Sequence, residues 1–237
     1  MSNEEQISLF DVAPASSAGA PPMPPAEVDP ELIPTSAKVP IPVGTYNSME
    51  KMAEHCNRCH RCDLGEYRTN AVIGRGNLSA PIMLIGEGPG QTEDETGLPF
   101  TGKSGQLLEK ILASVKLTTE TDVFICNIVK CRPPENRVPT TEEARACSGY
   151  LREQIRLVDP KIILLTGATA MKNLVGIKQG ITKVRGQWIE QDERFYMPIF
   201  HPAYLLRNPS REKGAPKWLM WQDIQAIKAK LDDLKSA

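Results

Sequence analysis

Three residues of this 237-residue chain combine useful chemistry with a telling position: Glu87, Asn127 and His201 each directly follow a short apolar run. Pro81 to Ile85 leads into Gly86-Glu87, Asn127 follows Val123 to Cys126 within the predicted strand Asp122 to Val129, and Phe195 to Phe200 leads into His201. A carboxylate can activate water or steady a cation, an amide offers both a donor and an acceptor, and a neutral imidazole can donate to a developing anion. Apolar runs of this length bounded by glycine or polar residues predict buried strands. A parallel sheet would bring their ends to one edge, where open α/β sheets bind ligands. The segment after the first run, Gly86 to Thr96, is a glycine-rich polar loop carrying Glu87, Glu93, Asp94 and Glu95, and an apolar Phe100 follows between Pro99 and Gly102. An ordinary βα turn requires neither the acids nor the phenyl ring.

Six cysteines form the second chemical group: Cys56-Asn-Arg-Cys59-His-Arg-Cys62, then Cys126, Cys131 and Cys147. In a chain without a secretion signal they argue for metal rather than disulfides. Two cysteines at C-x-x-C spacing can share a metal centre that two distant ones complete, and thiolates alone suit an iron–sulfur cluster or a structural zinc. Spacing does not separate the two. Cys126 sits inside the apolar run Val123 to Val129 and reads as a buried core residue.

One motif points elsewhere. Gly97-Leu-Pro-Phe-Thr-Gly102-Lys103-Ser104 matches the phosphate-loop pattern G-x-x-x-x-G-K-S. A phosphate loop follows directly on a strand, but here the apolar run ends eleven residues earlier and acidic residues intervene. A P-loop NTPase is therefore the less favoured enzyme class, and no nucleotide is expected. A non-catalytic cysteine-metal DNA-binding module is the other alternative, with Glu87, Phe100, Asn127 and His201 arguing against it.

The elements that would hold these residues alternate. A short helix is predicted over Asn47 to Cys56, a helix from Lys103, a helix from Glu142 to Val158 capped by Thr140 or Thr141, a strand from Lys161 to Leu165 and a helix from Ala168 to Leu174. Lys183 to Trp188 is a further strand candidate, and Pro216 opens a helix to Leu234. Alternating strands and helices predict a parallel sheet covered on both faces. Residues 1–44 form an acidic Pro/Ala-rich tail expected to be disordered, with eight of the twenty prolines between Pro21 and Pro42, and residues 45–237 form the folded domain. Residues 1–43 hold six acids and one lysine against an overall charge of −1, so the folded part is mildly basic, as a nucleic-acid-binding domain would be. No apolar run approaches a membrane span, and a cytoplasmic monomer is expected.

Four segments together carry a family resemblance: Gly86-Glu-Gly-Pro-Gly90, Gly97-Leu-Pro-Phe-Thr-Gly-Lys-Ser-Gly105, Asn127-Ile-Val-Lys-Cys-Arg-Pro-Pro134 and His201-Pro-Ala-Tyr-Leu-Leu-Arg-Asn-Pro209. In sequence and order they resemble the motifs of family 4 uracil-DNA glycosylases, the iron–sulfur type, from about Cys59 to the C-terminus. The resemblance implies a three-layer αβα fold around a parallel four-stranded sheet. It also implies a structural 4Fe–4S cluster on Cys59, Cys62, Cys131 and Cys147, with Cys56 surplus to that set. The implied activity is hydrolysis of the N-glycosidic bond of uracil in DNA, single- or double-stranded, leaving an abasic site for base excision repair.

That activity assigns roles. The base must be flipped from the stack. Phe100 would stack on it, and the Asn127 amide would donate to uracil O4 and accept from N3–H, a pattern that cytosine reverses. His201, if neutral, would donate to O2 as the ring leaves with negative charge. Other branches of the superfamily carry an Asp at the position of Gly88, so Glu87 and Glu93 are the carboxylates available here. Leu205, Leu206 and Arg207 resemble the wedge that fills the vacated stack. No lysine occupies a position expected to form a Schiff base, so no lyase step is expected. In the tail, Gln6-Ile-Ser-Leu-Phe10 resembles the short peptide by which bacterial repair proteins bind the sliding clamp, with Gln6, Leu9 and Phe10 as its contacts.

Overall fold

The structure is a computed structural model, and it describes residues 40–236. The peptide at Gln6, Leu9 and Phe10 lies outside the described residues. At its centre are β2 (Ile82–Gly86), β3 (Val123–Asn127), β4 (Ile162–Thr166) and β6 (Arg194–Ile199), all parallel, in the spatial order β3-β2-β4-β6. Two short antiparallel strands extend this predicted four-stranded core at its edges: β1 (Arg75–Gly76) beside β3 and β5 (Ile189–Gln191) beside β6. The register pairs Gly86 with Asn127 and Thr166 with Ile199, so all four central strands end on one side.

Side-chain alternation builds the two cores. Ile82 and Leu84 face one way, against α4 (Lys103–Ala113) and α9 (Pro216–Ser236), while Met83 and Ile85 face the other, against α5 (Thr141–Val158) and α6 (Ala168–Val175). Burial on both faces explains why the strands are continuous apolar runs rather than alternating ones. The helices start where their caps dictate. Thr140 and Glu143 form a reciprocal capping box on α5, and Arg137 grips the same Glu143 carboxylate at 2.6 and 2.9 Å. A third apolar cluster joins the N-terminal segment to α5 through Ile41, Tyr46, Met52 from α1 (Met49–Asn57), and Tyr150. Packing thus reaches back to Ile41, which lies over Gly149.

Three local expectations are corrected. The acidic stretch read as a loop contains a helix, α3 (Gln91–Thr96), because Glu93 reaches back to the Gly90 amide at 3.1 Å and Gly97 closes the turn at φ +74°. Lys183 to Trp188 is not a strand. α7 (Ile181–Val184) occupies its start, and Gly186 turns the chain at φ +74° against Asp223 before β5 begins. The wedge segment after His201 is a short helix, α8 (Pro202–Arg207). Helical geometry then sends Leu205 inward, 1% exposed, and Leu206 outward, 43% exposed, so the expected exposed leucine pair is a single leucine beside Arg207.

Candidate active site and thiol cage

At the C-terminal edge of the sheet, Phe100, Asn127 and His201 converge with Glu87 and Glu93 on the approaches. Asn127 ends β3 and is 2% exposed, yet its Oδ1 has no hydrogen-bond partner. A buried amide oxygen left open is costly unless a ligand donates to it. The adjacent strand end is Gly86, where a Cβ would collide with that oxygen and approach the Phe100 ring to 2.8 Å. Gly86 therefore keeps open the space between the amide and the ring. Gly88 packs on Val129, whose Cγ2 a Cβ would meet at 2.8 Å.

Phe100 is held in the left-handed region at φ +55°, 8% exposed, with its ring centroid 5.7 Å from that of His201. Several contacts hold this strained loop. Glu93 accepts the amides of Thr101 and Gly102 at 3.0 and 2.9 Å while also holding Gly90. Arg75, on β1, donates to the Pro99 and Phe100 carbonyls at 2.8 and 3.3 Å and pairs with Glu109 at 2.6 Å. Gly105 lets α4 pass directly under the Phe100 carbonyl, where a Cβ would clash. Arg75 and β1 escaped the sequence reading, because a two-residue edge strand has no periodicity to detect. The same contacts dispose of the phosphate-loop match: the amides ahead of α4 that would cradle a phosphate already bind the Glu93 carboxylate.

His201 caps α8, its Nδ1 accepting the Ala203 amide at 3.2 Å. That bond fixes the proton of the neutral ring on Nε2. Burial, reinforced by the Arg207 charge and opposed by Glu93, lowers its pKa to about 4, so the ring is neutral at physiological pH. Glu87, just past β2, accepts a hydrogen bond from the Thr169 hydroxyl at the start of α6. Glu87 thus keeps a free carboxylate oxygen, whereas both oxygens of Glu93 are engaged with backbone amides.

A second constellation lies beyond Asn127 along the chain. Cys56, Cys59, Cys62, Cys131 and Cys147 line one small space with Lys130, Arg61 and Tyr150. The four expected ligands are therefore gathered, and Cys56, 1% exposed, joins them. Burial pushes Cys147 up to about 12, with Lys130 opposing, and Cys131 up to about 11, with Arg68 opposing. Arg68 ties the Cys59 carbonyl at 2.6 Å to the Cys131 sulfur at 3.7 Å, and Arg61 holds the Ala146 carbonyl at 3.0 Å. Clustered thiols ringed by cations suit an anionic thiolate-ligated centre. Among the described residues no three His, Cys, Asp or Glu side chains form a group for a single metal ion. Cys126 lies apart in the core, as its apolar run implied.

Comparison with known proteins decides the family. The family model described as "Uracil DNA glycosylase superfamily" matches residues 73–225. The chain belongs to this superfamily. It is 46% identical over 183 residues to the type-4 uracil-DNA glycosylase of Thermotoga maritima, covering 76% of this chain and 93% of that one. It is 43% identical over 176 residues to the type-4 enzyme of Sulfurisphaera tokodaii, covering 70% and 80%, and 38% identical over 193 residues to that of Saccharolobus solfataricus, covering 78% and 87%. At these identities and lengths the chain is a member of the type-4 uracil-DNA glycosylases. Phe100 and Asn127 flank the space that Gly86 leaves open. A separate groove of about 440 Å³ between α4 and α9, lined by Leu205, Trp218 and Trp221, carries no carboxylate, imidazole or thiol.

Proposed function

We propose that this glycosylase removes uracil from DNA by hydrolysis, with no lyase step, as the first act of base excision repair. The observation that carries the reading is the unpartnered Oδ1 of Asn127, buried beside the Phe100 ring. Uracil N3–H supplies the donor this oxygen lacks, while the Asn127 Nδ2 donates to O4. Cytosine presents an acceptor at position 3 and a donor at position 4, leaving both groups unpaired, so the site rejects it. Phe100 stacks on the flipped base, and its strained, clamped backbone keeps the ring from moving with the ligand.

Bond breaking places negative charge on the uracil ring and positive charge on the sugar. The Nε2–H of neutral His201 stabilises the anion at O2 without giving up a proton. Glu87 is the carboxylate that orients the attacking water and steadies the sugar cation, since Glu93 is committed to three backbone amides. Leu206 and Arg207 enter the vacated stack from the end of α8, with Leu205 as their buried root.

The thiol cage fits a 4Fe–4S cluster held by Cys59, Cys62, Cys131 and Cys147, which when bound staples the segment after α1 to β3 and α5. Gln6, Leu9 and Phe10 form a clamp-binding peptide that tethers a monomeric, cytoplasmic enzyme to DNA. Incubation with uracil-containing single- and double-stranded oligonucleotides, followed by alkali, should release cut strands. Borohydride should trap no protein–DNA adduct. Intact strands after alkali would refute the activity, and a trapped adduct would refute the hydrolytic mechanism. For the tether, Leu9→Ala/Phe10→Ala should abolish binding to purified clamp, and equal binding by parent and variant would exclude it.

A further inference from the structure

The glycosylase chemistry leaves the fully buried charged side chain of Lys130 unused. Its Nζ donates to the main-chain carbonyl of Asn127, three residues back at the end of β3. Lys130 also lines the space enclosed by the thiols. Among the described residues no carboxylate forms an ion pair with it. An ammonium has three donors, and one carbonyl neither satisfies them nor balances the charge. A buried cation persists only beside compensating negative charge. The groups around it are the thiols of the cage, which become thiolates on ligating a metal.

We propose that Lys130 is a positioning residue that couples the thiolate set to uracil recognition. Its ammonium is the buried counter-charge of the ligating thiolates, and the same ammonium fixes the carbonyl of Asn127, whose side chain reads the base. The coupling runs both ways. Ligating thiolates would hold the Lys130 ammonium in place, and Lys130 holds the strand end by the Asn127 carbonyl. A neutral side chain would leave thiolates without their cation and the Asn127 carbonyl without its donor. The second half of this inference rests on the uracil reading of the pocket, while the first half stands on the thiol cage alone.

The test uses the full chain purified anoxically, as parent, Lys130→Met and Lys130→Arg. Two quantities are read: the rate at which a chelator bleaches the visible absorbance, and KM and kcat separately on a uracil oligonucleotide. Lys130→Met should bleach at least roughly tenfold faster, the usual effect of losing a partner just outside a metal's ligands. Its KM should rise by roughly tenfold with a smaller change in kcat, because an interaction holding the reader contributes to binding. Lys130→Arg keeps the charge but cannot place the same single N–H on the carbonyl. It should bleach at the parental rate with a raised KM. Bleaching by Lys130→Met at the parental rate would overturn the counter-charge, and fast bleaching with a parental KM would overturn the coupling. If Lys130→Met does not accumulate as folded protein, Lys130→Arg decides: a parental KM or accelerated bleaching refutes the proposal. A parent that cleaves no uracil DNA would refute the activity, while the bleaching comparison would still judge Lys130.

Discussion

The proposed uracil pocket and the thiol cage are only four residues apart on the chain, from Asn127 to Cys131, yet they are built on opposite principles. The pocket keeps hydrogen-bonding capacity unspent: among the described residues Asn127 Oδ1 is open and His201 engages Nδ1. Its rigidity comes from the backbone contacts of neighbours such as Glu93 and Arg75 around Phe100. The cage turns every thiol inward and assembles them from three separate places, the end of α1, the exit of β3 and the body of α5. A site for a transient ligand must pre-organise open groups, and scaffolding residues do so. A site for a permanent group joins distant segments, so its loss falls on the fold.

The sharpest break in that contrast is Asn127→Asp. The carboxylate keeps an acceptor and loses the donor to O4, so kcat/KM on uracil DNA should drop by about 10⁴, the scale on which paired polar sites discriminate. Any fall in melting temperature should reflect only the cost of burying the new carboxyl group, since the amide has no partner to lose at Oδ1. Steady-state kinetics alongside calorimetry would check both halves. A parental kcat/KM would mean that Asn127 does not read the base.

Cys131→Ser should behave in reverse. Removing a ligand that ties β3 to the segment after α1 should cost on the order of 4 kcal/mol, the range seen when a metal site is lost. In a folded domain of this size that is a fall of about 8 to 16 °C in melting temperature, with the visible absorbance gone. A colourless parent containing one zinc would replace the cluster with a zinc staple, and a variant melting with the parent would remove the cage from the stability argument.

How far the sequence foretold these two regions follows from the same contrast. The strand ends were legible because doubly buried strands leave unmistakable apolar runs, and Glu87, Asn127 and His201 sit where those runs stop. The αβα architecture followed from their alternation with helices. What stayed hidden was work done by backbone. Glu93 reads as a candidate catalytic carboxylate, and no pattern of letters reveals that three amides converge on it. α3 was missed because Glu93 and Gly90 cap it through a contact that propensity does not count. Leu205 and Leu206 are adjacent identical letters, and only the helical turn separates the buried one from the exposed one.

His201 should show the next effect in size. Without its Nε2–H donor, His201→Ala should lose roughly 10² to 10³ in kcat, the cost of one anion-stabilising donor. Its low pKa makes a pH statement as well. Between the ordinary value of 6.5 and about 4 the unfolded chain binds the proton that the folded ring refuses. The His201 contribution to stability is therefore complete above 6.5 and declines as pH falls through that window. Activity limited by this ring should stay level from pH 8 to 5 and fall only toward 4, where protonation of Nδ1 would also break the cap on α8. Imidazole resonances followed by NMR would check it, and a His201 midpoint near 6.5 would contradict the buried neutral ring.

The smallest effect separates the two carboxylates. In Glu93→Gln the amide oxygen can still accept from Thr101 and Gly102, but its NH₂ group faces the Gly90 amide, donor against donor. One hydrogen bond is lost, worth about 1 kcal/mol of stability. The Phe100 loop loosens on the α3 side while Arg75 still grips the other, so KM should rise by roughly fivefold and kcat should change less. Glu87→Gln should do the opposite, lowering kcat by roughly 10² at nearly constant KM, because the proposed role of that carboxylate is to orient water rather than to hold the loop. The paired kinetics decide between scaffold and chemistry. A kcat loss for Glu93→Gln as deep as that for Glu87→Gln would mean that Glu93 leaves its three amides in the DNA complex and joins the reaction.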